Sequence, residues 1–221
     1  MEGMVGVQFK GIIFDMDNTL LSSRIDFPGM KAELLRLYQS RDILPDSVRP
    51  EEHTVSTLIE AAKGTDRWSD ELETKTWKIV TEYEKEGLRE ARLEDGVRQV
   101  LETLHGRLVL SVLTNNSRIA ALTALRQHRI VPFFQVIVGR EQMDALKPSP
   151  SGIRFVLSHY TQIPAKSWLC VGDSWIDGMA AQSCGVPFLA YRADRTEMAE
   201  KGVRPIGFIE WMEQLLEVVN F

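Results

Sequence analysis

Two aspartates separated by one residue follow a short apolar run near the start of the sequence. In the stretch KGIIFDMDNTLLSS the apolar run ends at Phe14, and Asp15 and Asp17 come next. A short run rich in β-branched residues predicts a buried strand. Carboxylates at the end of such a strand must be paired, hydrated or bound to a cation, because burying an unpaired charge costs on the order of several kcal/mol. The spacing therefore suggests a catalytic or metal-binding site, although an Asp-x-Asp pair alone is common.

Polar residues recur where later predicted strands end. Thr114 and Asn115 follow RLVLSVL, Lys147 lies in the loop sequence DALKPSP, and Asp173 and Asp177 belong to VGDSWID. If these strand ends share one edge of a parallel sheet, three or four carboxylates, a lysine and a hydroxyl converge there. Such a cluster would repel itself without a cation, and its hard oxygen ligands suit Mg²⁺. The cation and the lysine together would receive an anionic group, most naturally a phosphate.

Each of these residues also has an ordinary structural interpretation. Thr114 and the asparagines after it fit a turn and a helix cap, and Lys147 fits an exposed loop lysine. Asp173 fits a cap at a strand-to-helix turn, and Asp177 fits a solvated acid on a helix. The order of the whole set, with each member at a strand end or in a loop on the same side, favours a functional site.

The elements that must position these residues alternate from about residue 93 onward. Short apolar strands such as FQVIVG, SWLCVGD and GVPFLAY are separated by helical segments such as SRIAALTALRQHRI and SPSGIRFVLSHY. This alternation predicts an α/β fold, a Rossmann-like and mostly parallel sheet with helices on both faces. The amphipathic C-terminal segment FIEWMEQLLEVVNF is expected to cover the core.

Residues 22–92 contain almost no strand pattern and predict a small helical insertion. Pro28 suits the first turn of one helix, Pro50 is expected to begin a second that stops at Gly64, and Ser69 is expected to cap a third. One face of the third helix is expected to contain Leu72, Thr76, Ile79 and Tyr83. The predicted domains are therefore 1–21 with 93–221, an α/β core, and 22–92, an inserted helical domain. A partner-binding module is the alternative interpretation of the helical span.

Composition narrows the classes of function. The chain has 221 residues, 44% of them hydrophobic and 26% charged, with a net charge of −5 and no basic stripe, which argues against a nucleic-acid partner. Cys170 and Cys184 lie outside any metal-binding spacing, and no long apolar segment or leader pattern is visible. We expect a soluble, cytoplasmic protein without a membrane partner. The oligomeric state cannot be deduced from the sequence.

The ordered motifs resemble those of the haloacid dehalogenase (HAD) superfamily, in particular its phosphatase branch with a helical first-type cap, which includes phosphoglycolate phosphatases. The matching stretches are DMDNTL, LTNNS, LKPSP and VGDSWID. The resemblance covers nearly the whole chain, and it implies that 22–92 is the cap and the α/β part is the core. Asn18 stands where many relatives have glycine; asparagine also tolerates unusual backbone angles.

The resemblance also implies roles for the acidic residues. Asp15 would be the nucleophile that forms an aspartyl-phosphate, and Asp17 the general acid and then the base. Mg²⁺ would be held by the Asp15 side chain, the Asp17 backbone carbonyl and Asp173, while Asp177 would act through water or Lys147. Members that displace halide from carbon lack the second aspartate, so Asp17 favours phosphoryl transfer.

The remaining motif residues would hold the phosphoryl group. The resemblance assigns this to Thr114 and the Asn115 backbone amide, with Lys147 neutralising charge around Asp15. The implied partner is a small phosphorylated metabolite, such as phosphoglycolate or a sugar phosphate. The alternative from another class is a catalytically idle or slow HAD-like protein that binds or senses phosphate, although every residue that the chemistry needs is present.

Overall fold

A computed structural model describes residues 8–220 and divides them into two compact units. Ser23–Ala91 form one unit, and the described residues up to Ser22 together with those from Arg92 onward form the other. These boundaries lie within one residue of the predicted ones. The assignment of the two units as core and cap domains stays a prediction.

The larger unit is a six-stranded parallel sheet with helices between its strands. The helices of the smaller unit come first in the chain: α1 (Phe27–Gln39), α2 (Val55–Lys63) and α3 (Asp70–Arg89). The elements of the larger unit are β1 (Gly11–Phe14), β2 (Leu21–Ser22), β3 (Arg92–Leu93), α4 (Val97–Leu104), β4 (Val109–Leu113), α5 (Arg118–Gln127), β5 (Val136–Val138), α6 (Ser151–Ser158), β6 (Trp168–Gly172), α7 (Trp175–Gln182), β7 (Phe188–Tyr191), α8 (Arg195–Glu200), β8 (Gly207–Ile209) and α9 (Gln214–Val218). The strand order of the six-stranded sheet is β5-β4-β1-β6-β7-β8, and every neighbouring pair is parallel. Strands β2 and β3 form a separate antiparallel pair. The predicted α/β fold is confirmed.

Strand β1 lies at the centre of this sheet because its side chains are apolar on both faces. Ile12, Ile13 and Phe14 have no exposed surface. Gly11 pairs with Trp168 of β6, and a Cβ atom at position 11 would lie 2.5 Å from the Trp168 ring. The missing side chain thus lets the indole pack against the centre of the sheet. The residue that follows β1, Asp15, emerges between the ends of β4 and β6.

The smaller unit consists of α1 (Phe27–Gln39), α2 (Val55–Lys63) and α3 (Asp70–Arg89). Each helix begins at a side-chain cap, provided by Asp26, Thr54 and Ser69 respectively. Inside the unit, the buried hydroxyl groups of Tyr38 and Thr76 are hydrogen-bonded at 3.1 Å, which satisfies both polar groups in an apolar setting.

Two predicted features of the helices were wrong in detail. The second helix does not begin at Pro50: residues Pro50–Glu52 form a separate 3₁₀ turn, and α2 begins after Thr54, whose hydroxyl accepts from the Thr57 N–H. A capping hydroxyl competes well with a proline for the start of a helix, because it satisfies an otherwise unpaired donor. In α3 the buried face follows Leu72 and Thr76 as predicted, but then continues through other positions, Val80 and Glu84.

The C-terminal segment contains the end of a strand and a short helix. Its first residues are Phe208 and Ile209, which belong to edge strand β8, and only Gln214–Val218 are helical. The segment does cover the core, since Met212 and Leu215 are fully buried. Within residues 8–220, every helix is too short or too polar to cross a lipid bilayer.

Close packing inside the helical unit predicts opposite effects for two glycine substitutions. Gly87 lies inside α3, and a Cβ atom there would come within 2.4 Å of the Ile25 backbone, although helical glycine to alanine normally stabilises. We expect Gly87→Ala to lower the free energy of unfolding by about 1–3 kcal/mol.

The matched control is Gly64→Ala at the end of α2, where the nearest atoms are 3.6 Å away and the backbone is α-helical. That change should be neutral or stabilise by up to about 1 kcal/mol. Urea denaturation measures both, and a Gly87→Ala protein as stable as Gly64→Ala would contradict the packing described.

Candidate active site

The carboxyl ends of β1, β4 and β6 bring the predicted residues to one edge of the sheet. Asp15 follows β1, Thr114 follows β4 and Asp173 follows β6, while Lys147 comes from the loop between β5 and α6. The Asp15 N–H donates to the carbonyl of Val171 in β6 at 2.9 Å, so the sheet hydrogen bonding continues to the aspartate itself. The side chain of Asp15 is therefore held by a rigid element.

The ammonium group of Lys147 is buried among three oxygen acceptors. Its Nζ atom donates to Oδ1 of Asp15 at 2.5 Å, to Oδ1 of Asp177 at 2.6 Å and to the carbonyl oxygen of Leu113 at 3.1 Å. The Lys147 side chain is only 4% exposed, and those of the two aspartates are 9% and 2% exposed. A lysine has three N–H donors, and here all three have acceptors. The lysine is therefore an internal counter-ion rather than an exposed loop residue.

Asp177 owes its position to the turn between β6 and α7. Its Oδ2 atom accepts the Ser174 N–H at 3.2 Å, in a capping arrangement at the start of α7, while Oδ1 binds Lys147. Gly172 makes room for this carboxylate, because a Cβ atom there would lie 2.5 Å from Asp177 Oδ2. Asp177 is thus a buried link between the helix cap and the lysine, and the interpretation as a solvated helix acid is wrong.

Three carboxylates at this edge are arranged as a metal site would require. Asp15, Asp173 and Asp177 each offer an oxygen atom, and these atoms lie within 4.8 Å of one another. Asn18, whose backbone has a φ of 55°, hydrogen-bonds through its side chain to Asp173. A single lysine does not balance three carboxylates, and an all-oxygen set of this kind suits a hard divalent cation. The residues present therefore fit Mg²⁺.

The charge imbalance changes the pKa values of the cluster. Burial raises the pKa of Asp15 well above its usual range; Lys147 opposes the shift, and the neighbouring aspartates add to it. Burial, together with the charge of Asp177, raises the pKa of Asp173 to about 7. Burial alone would lower the pKa of Lys147, but Asp15 and Asp177 raise it above its usual value, so the lysine stays charged. A bound cation would restore the ionised form of the carboxylates.

Thr114 and Asn115 lie beside this cluster. The Thr114 hydroxyl is buried and accepts the Asn116 N–H at 3.1 Å, which leaves its O–H as a donor for an incoming anion. The side chain of Asn115 forms two hydrogen bonds with the peptide groups of Lys147: Oδ1 accepts the N–H at 2.8 Å, and Nδ2 donates to the carbonyl at 3.2 Å. Asn115 therefore ties the lysine loop to the end of β4.

Asp17 is separated from the lysine cluster and has a different partner. The Nδ2 atom of Asn116 donates to Oδ2 of Asp17 at 2.7 Å. Asp17 is partly exposed, whereas Asp15 is buried. The two aspartates of the first motif thus occupy different environments: Asp15 contacts the Lys147 ammonium group, and Asp17 contacts the neutral amide of Asn116.

The structure brings together the residues predicted from sequence and adds three that sequence reasoning missed. Asp15, Lys147 and Asp177 are in direct contact, with Asp173 within the metal-ligand cluster. The missed residues are Asn116, Gly172 and the side chain of Asn18. All three lie inside the motif stretches, which was the only sign in the sequence that they belong to the site. The contacts of Asn116 and Asn18 join segments that are distant in sequence, and Gly172 matters because it has no side chain. The functional roles of all these residues stay predictions.

The raised pKa values predict how the stability of the metal-free protein depends on pH. The Asp173 carboxyl keeps its proton in the folded protein up to about pH 7, whereas the unfolded chain releases it near pH 4, roughly the ordinary value. The folded state binds more protons in this window, so the contribution of this group to the free energy of unfolding falls as pH rises from about 4 to 7. Asp15 acts in the same direction.

Mg²⁺ binds ionised carboxylates, so the increase in Tm on adding Mg²⁺ should be larger at about pH 8 than at about pH 5.5. Thermal melts with Mg²⁺ or with chelator at both pH values measure this increment. Asp173→Asn removes one oxygen ligand charge and should reduce the increment mainly at the higher pH. An increment that is equal at both pH values in the unsubstituted protein would contradict the assignment of the cluster as a metal site.

The chain is similar over nearly its full length to proteins of known name. A phosphoglycolate phosphatase of Vibrio vulnificus is 27% identical, with 98% of each chain covered. A phosphoglycolate phosphatase of Rhodobacter capsulatus is 26% identical, with 81% of this chain and 83% of the relative covered.

Solved structures and a family profile agree with this similarity. YfnB of Bacillus subtilis, crystallised with magnesium and described with interdomain movement, superposes with a TM-score of 0.62 at 22% identity, covering 97% of this chain and all of that one. A HAD-superfamily hydrolase of subfamily IA from Geobacter sulfurreducens gives a TM-score of 0.59 at 22% identity, covering 95% and 99%. At these identities the likeness establishes the fold. Residues 12–191 match the profile of the haloacid dehalogenase-like hydrolases. The chain therefore belongs to the haloacid dehalogenase-like hydrolase family.

Proposed function

We propose that this hydrolase is a Mg²⁺-dependent phosphatase that cleaves a small phosphomonoester through an aspartyl-phosphate at Asp15. The observation that carries the proposal is the placement of Asp15 at the end of the central strand. Its carboxylate accepts a hydrogen bond from the buried Lys147 ammonium group. It also lies with the carboxylates of Asp173 and Asp177 in one group of oxygen ligands, here called the oxygen cluster. A carboxylate held this rigidly, beside a fixed positive charge, is suited to attack an anionic phosphorus centre.

The residues that would hold the metal are those of the oxygen cluster. Asp15 and Asp173 would contribute carboxylate oxygens, with the backbone carbonyl of Asp17 as a further ligand by family resemblance. Asp177 would act indirectly, by holding the ammonium group of Lys147, which donates a hydrogen bond to it. When bound, the cation would neutralise charge on the phosphoryl oxygens. The carboxylates supply the negative charge that attracts it.

The chain's own residues account for both chemical steps. In the first, a carboxylate oxygen of Asp15 bonds to phosphorus while the bond from phosphorus to the ester oxygen breaks, and Asp17 gives its proton to that oxygen. In the second, Asp17 takes a proton from water as the water oxygen bonds to phosphorus, and the bond from Asp15 to phosphorus breaks. Inorganic phosphate leaves, and both aspartates return to their starting states. The Thr114 hydroxyl and the Asn115 backbone amide would hold phosphoryl oxygens throughout.

Small esters such as phosphoglycolate or a sugar phosphate are the substrates that we propose. The support is the name of the relatives, phosphoglycolate phosphatase, at 26–27% identity over most of the chain. The helical unit would act as the cap that selects the ester, a role that the family resemblance implies. The interdomain movement described for YfnB is consistent with such a role.

Phosphate release from a panel of small phosphomonoesters tests the proposal. We expect release with Mg²⁺, none with chelator, and none from Asp15→Asn. Asp17→Asn should lower turnover of an alkyl phosphate by roughly 10²- to 10⁴-fold, because the leaving alkoxide then has no acid to protonate it. The exposed Glu200 at the end of α8 provides a matched control: Glu200→Gln makes the same carboxylate-to-amide change at a residue outside the oxygen cluster and should retain full activity.

Two outcomes would contradict the proposal. Metal-dependent release that survives Asp15→Asn would remove the nucleophile from the mechanism. No release of phosphate from any ester, by a folded protein that binds Mg²⁺, would instead favour a protein that binds or senses phosphate without turning it over.

A further inference from the structure

We propose that Asn116 is a positioning residue that fixes the carboxyl group of Asp17 for proton transfer. The inference rests on the proposed phosphatase function and extends it to a residue outside the motif positions assigned above. Asn116 is only 5% exposed, and its Nδ2 atom donates to Oδ2 of Asp17 at 2.7 Å. The two residues are 99 positions apart in the sequence. Asn116 is therefore more than a local turn residue, because its side chain joins the end of β4 to the first motif.

Both backbone polar groups of Asn116 are hydrogen-bonded, so the point from which its side chain extends is fixed. Its N–H donates to the Thr114 hydroxyl at 3.1 Å, and its carbonyl accepts the Arg140 N–H at 2.9 Å. The neighbouring loop lies very close, since a Cβ atom on Gly139 would be 2.4 Å from the Arg118 nitrogen. A side chain anchored in this way can orient its partner, because positioning depends on how little the supporting group moves.

The chemistry of the contact fixes the direction of the hydrogen bond. An ionised carboxylate only accepts hydrogen bonds, so the amide of Asn116 must face Asp17 with its N–H end. Because Oδ2 is held by this bond, rotation of the Asp17 carboxyl group would break the contact, and Oδ1 is kept on one side. Asn116 thus fixes the orientation of the Asp17 carboxyl group while remaining uncharged.

If Asn116 positions the acid, the loss of activity on its removal should depend on the leaving group of the ester. An alkoxide leaving group needs the proton of Asp17 as its bond to phosphorus breaks, whereas a 4-nitrophenolate leaves without that help. The constant kcat/KM reports the steps up to the first irreversible one, the transfer to Asp15, and is therefore insensitive to the later hydrolysis. Comparing the loss in kcat/KM for an alkyl phosphate and for 4-nitrophenyl phosphate isolates the effect on the acid.

The experiment measures kcat/KM with both esters for the wild type, Asn116→Ala and Asn115→Ala. For Asn116→Ala we expect a fall of about 10- to 100-fold with the alkyl ester and less than about 3-fold with the nitrophenyl ester. Asn115→Ala is the matched control, because its amide holds the Lys147 loop rather than Asp17. That variant should lower both values by similar factors.

The outcomes separate this inference from the function on which it rests. Equal falls with both esters in Asn116→Ala would overturn the positioning role and leave the phosphatase intact. No release from either ester by the wild type would overturn the proposed function and the inference with it. If Asn116→Ala does not fold, Asn116→Leu keeps roughly the size of the side chain and removes the donor without adding a charge, and the same selective loss for the alkyl ester is expected.

Discussion

The salt bridge of Lys147 with Asp15 and Asp177 holds together the residues of the candidate site. The ammonium group and both carboxylates are buried, with Nζ–O distances of 2.5 and 2.6 Å. Removing the lysine would leave two buried carboxylates without their counter-charge, and breaking a buried ion pair in this way typically costs about 3–5 kcal/mol. The lysine loop is in turn held by Asn115, and Asp177 by the cap of α7 and the space left by Gly172. Several elements thus converge on one ion pair.

This arrangement affects the ionisation of Asp15. Burial raises the pKa of Asp15 and so favours its protonated form, and a protonated carboxyl group is a poor nucleophile. Lys147 opposes that shift, and a cation bound by Asp15 and Asp173 would oppose it further. Asp17, bonded to the neutral amide of Asn116, has no such ion pair with the lysine and is better placed to exchange a proton. Two aspartates that differ by two positions in sequence are thereby suited to different tasks.

The sequence predicted the parts of this site that depend on residue type and on the end of a strand. The apolar run up to Phe14 predicted a buried strand, and Asp15 follows it as expected. The contact between Asn116 and Asp17 could not be deduced, since it depends on how two distant loops meet. The need for glycine at position 172 was equally invisible, because it arises from the carboxylate of Asp177 rather than from a turn. Strand β8 was not predicted, because two apolar residues are too short a run to indicate a strand, and only their pairing with β7 defines it.

If Asp15 is the nucleophile, an aspartyl-phosphate at this residue can be trapped during turnover. The protein would be mixed with Mg²⁺ and a rapidly cleaved phosphomonoester, quenched in acid during turnover, digested and examined by mass spectrometry. We expect a phosphoryl group on the peptide that contains Asp15, at the Asp15 position, and none when chelator replaces Mg²⁺. Turnover with no phosphorylated peptide under conditions that preserve acyl phosphates, or a phosphoryl group on another residue, would contradict it.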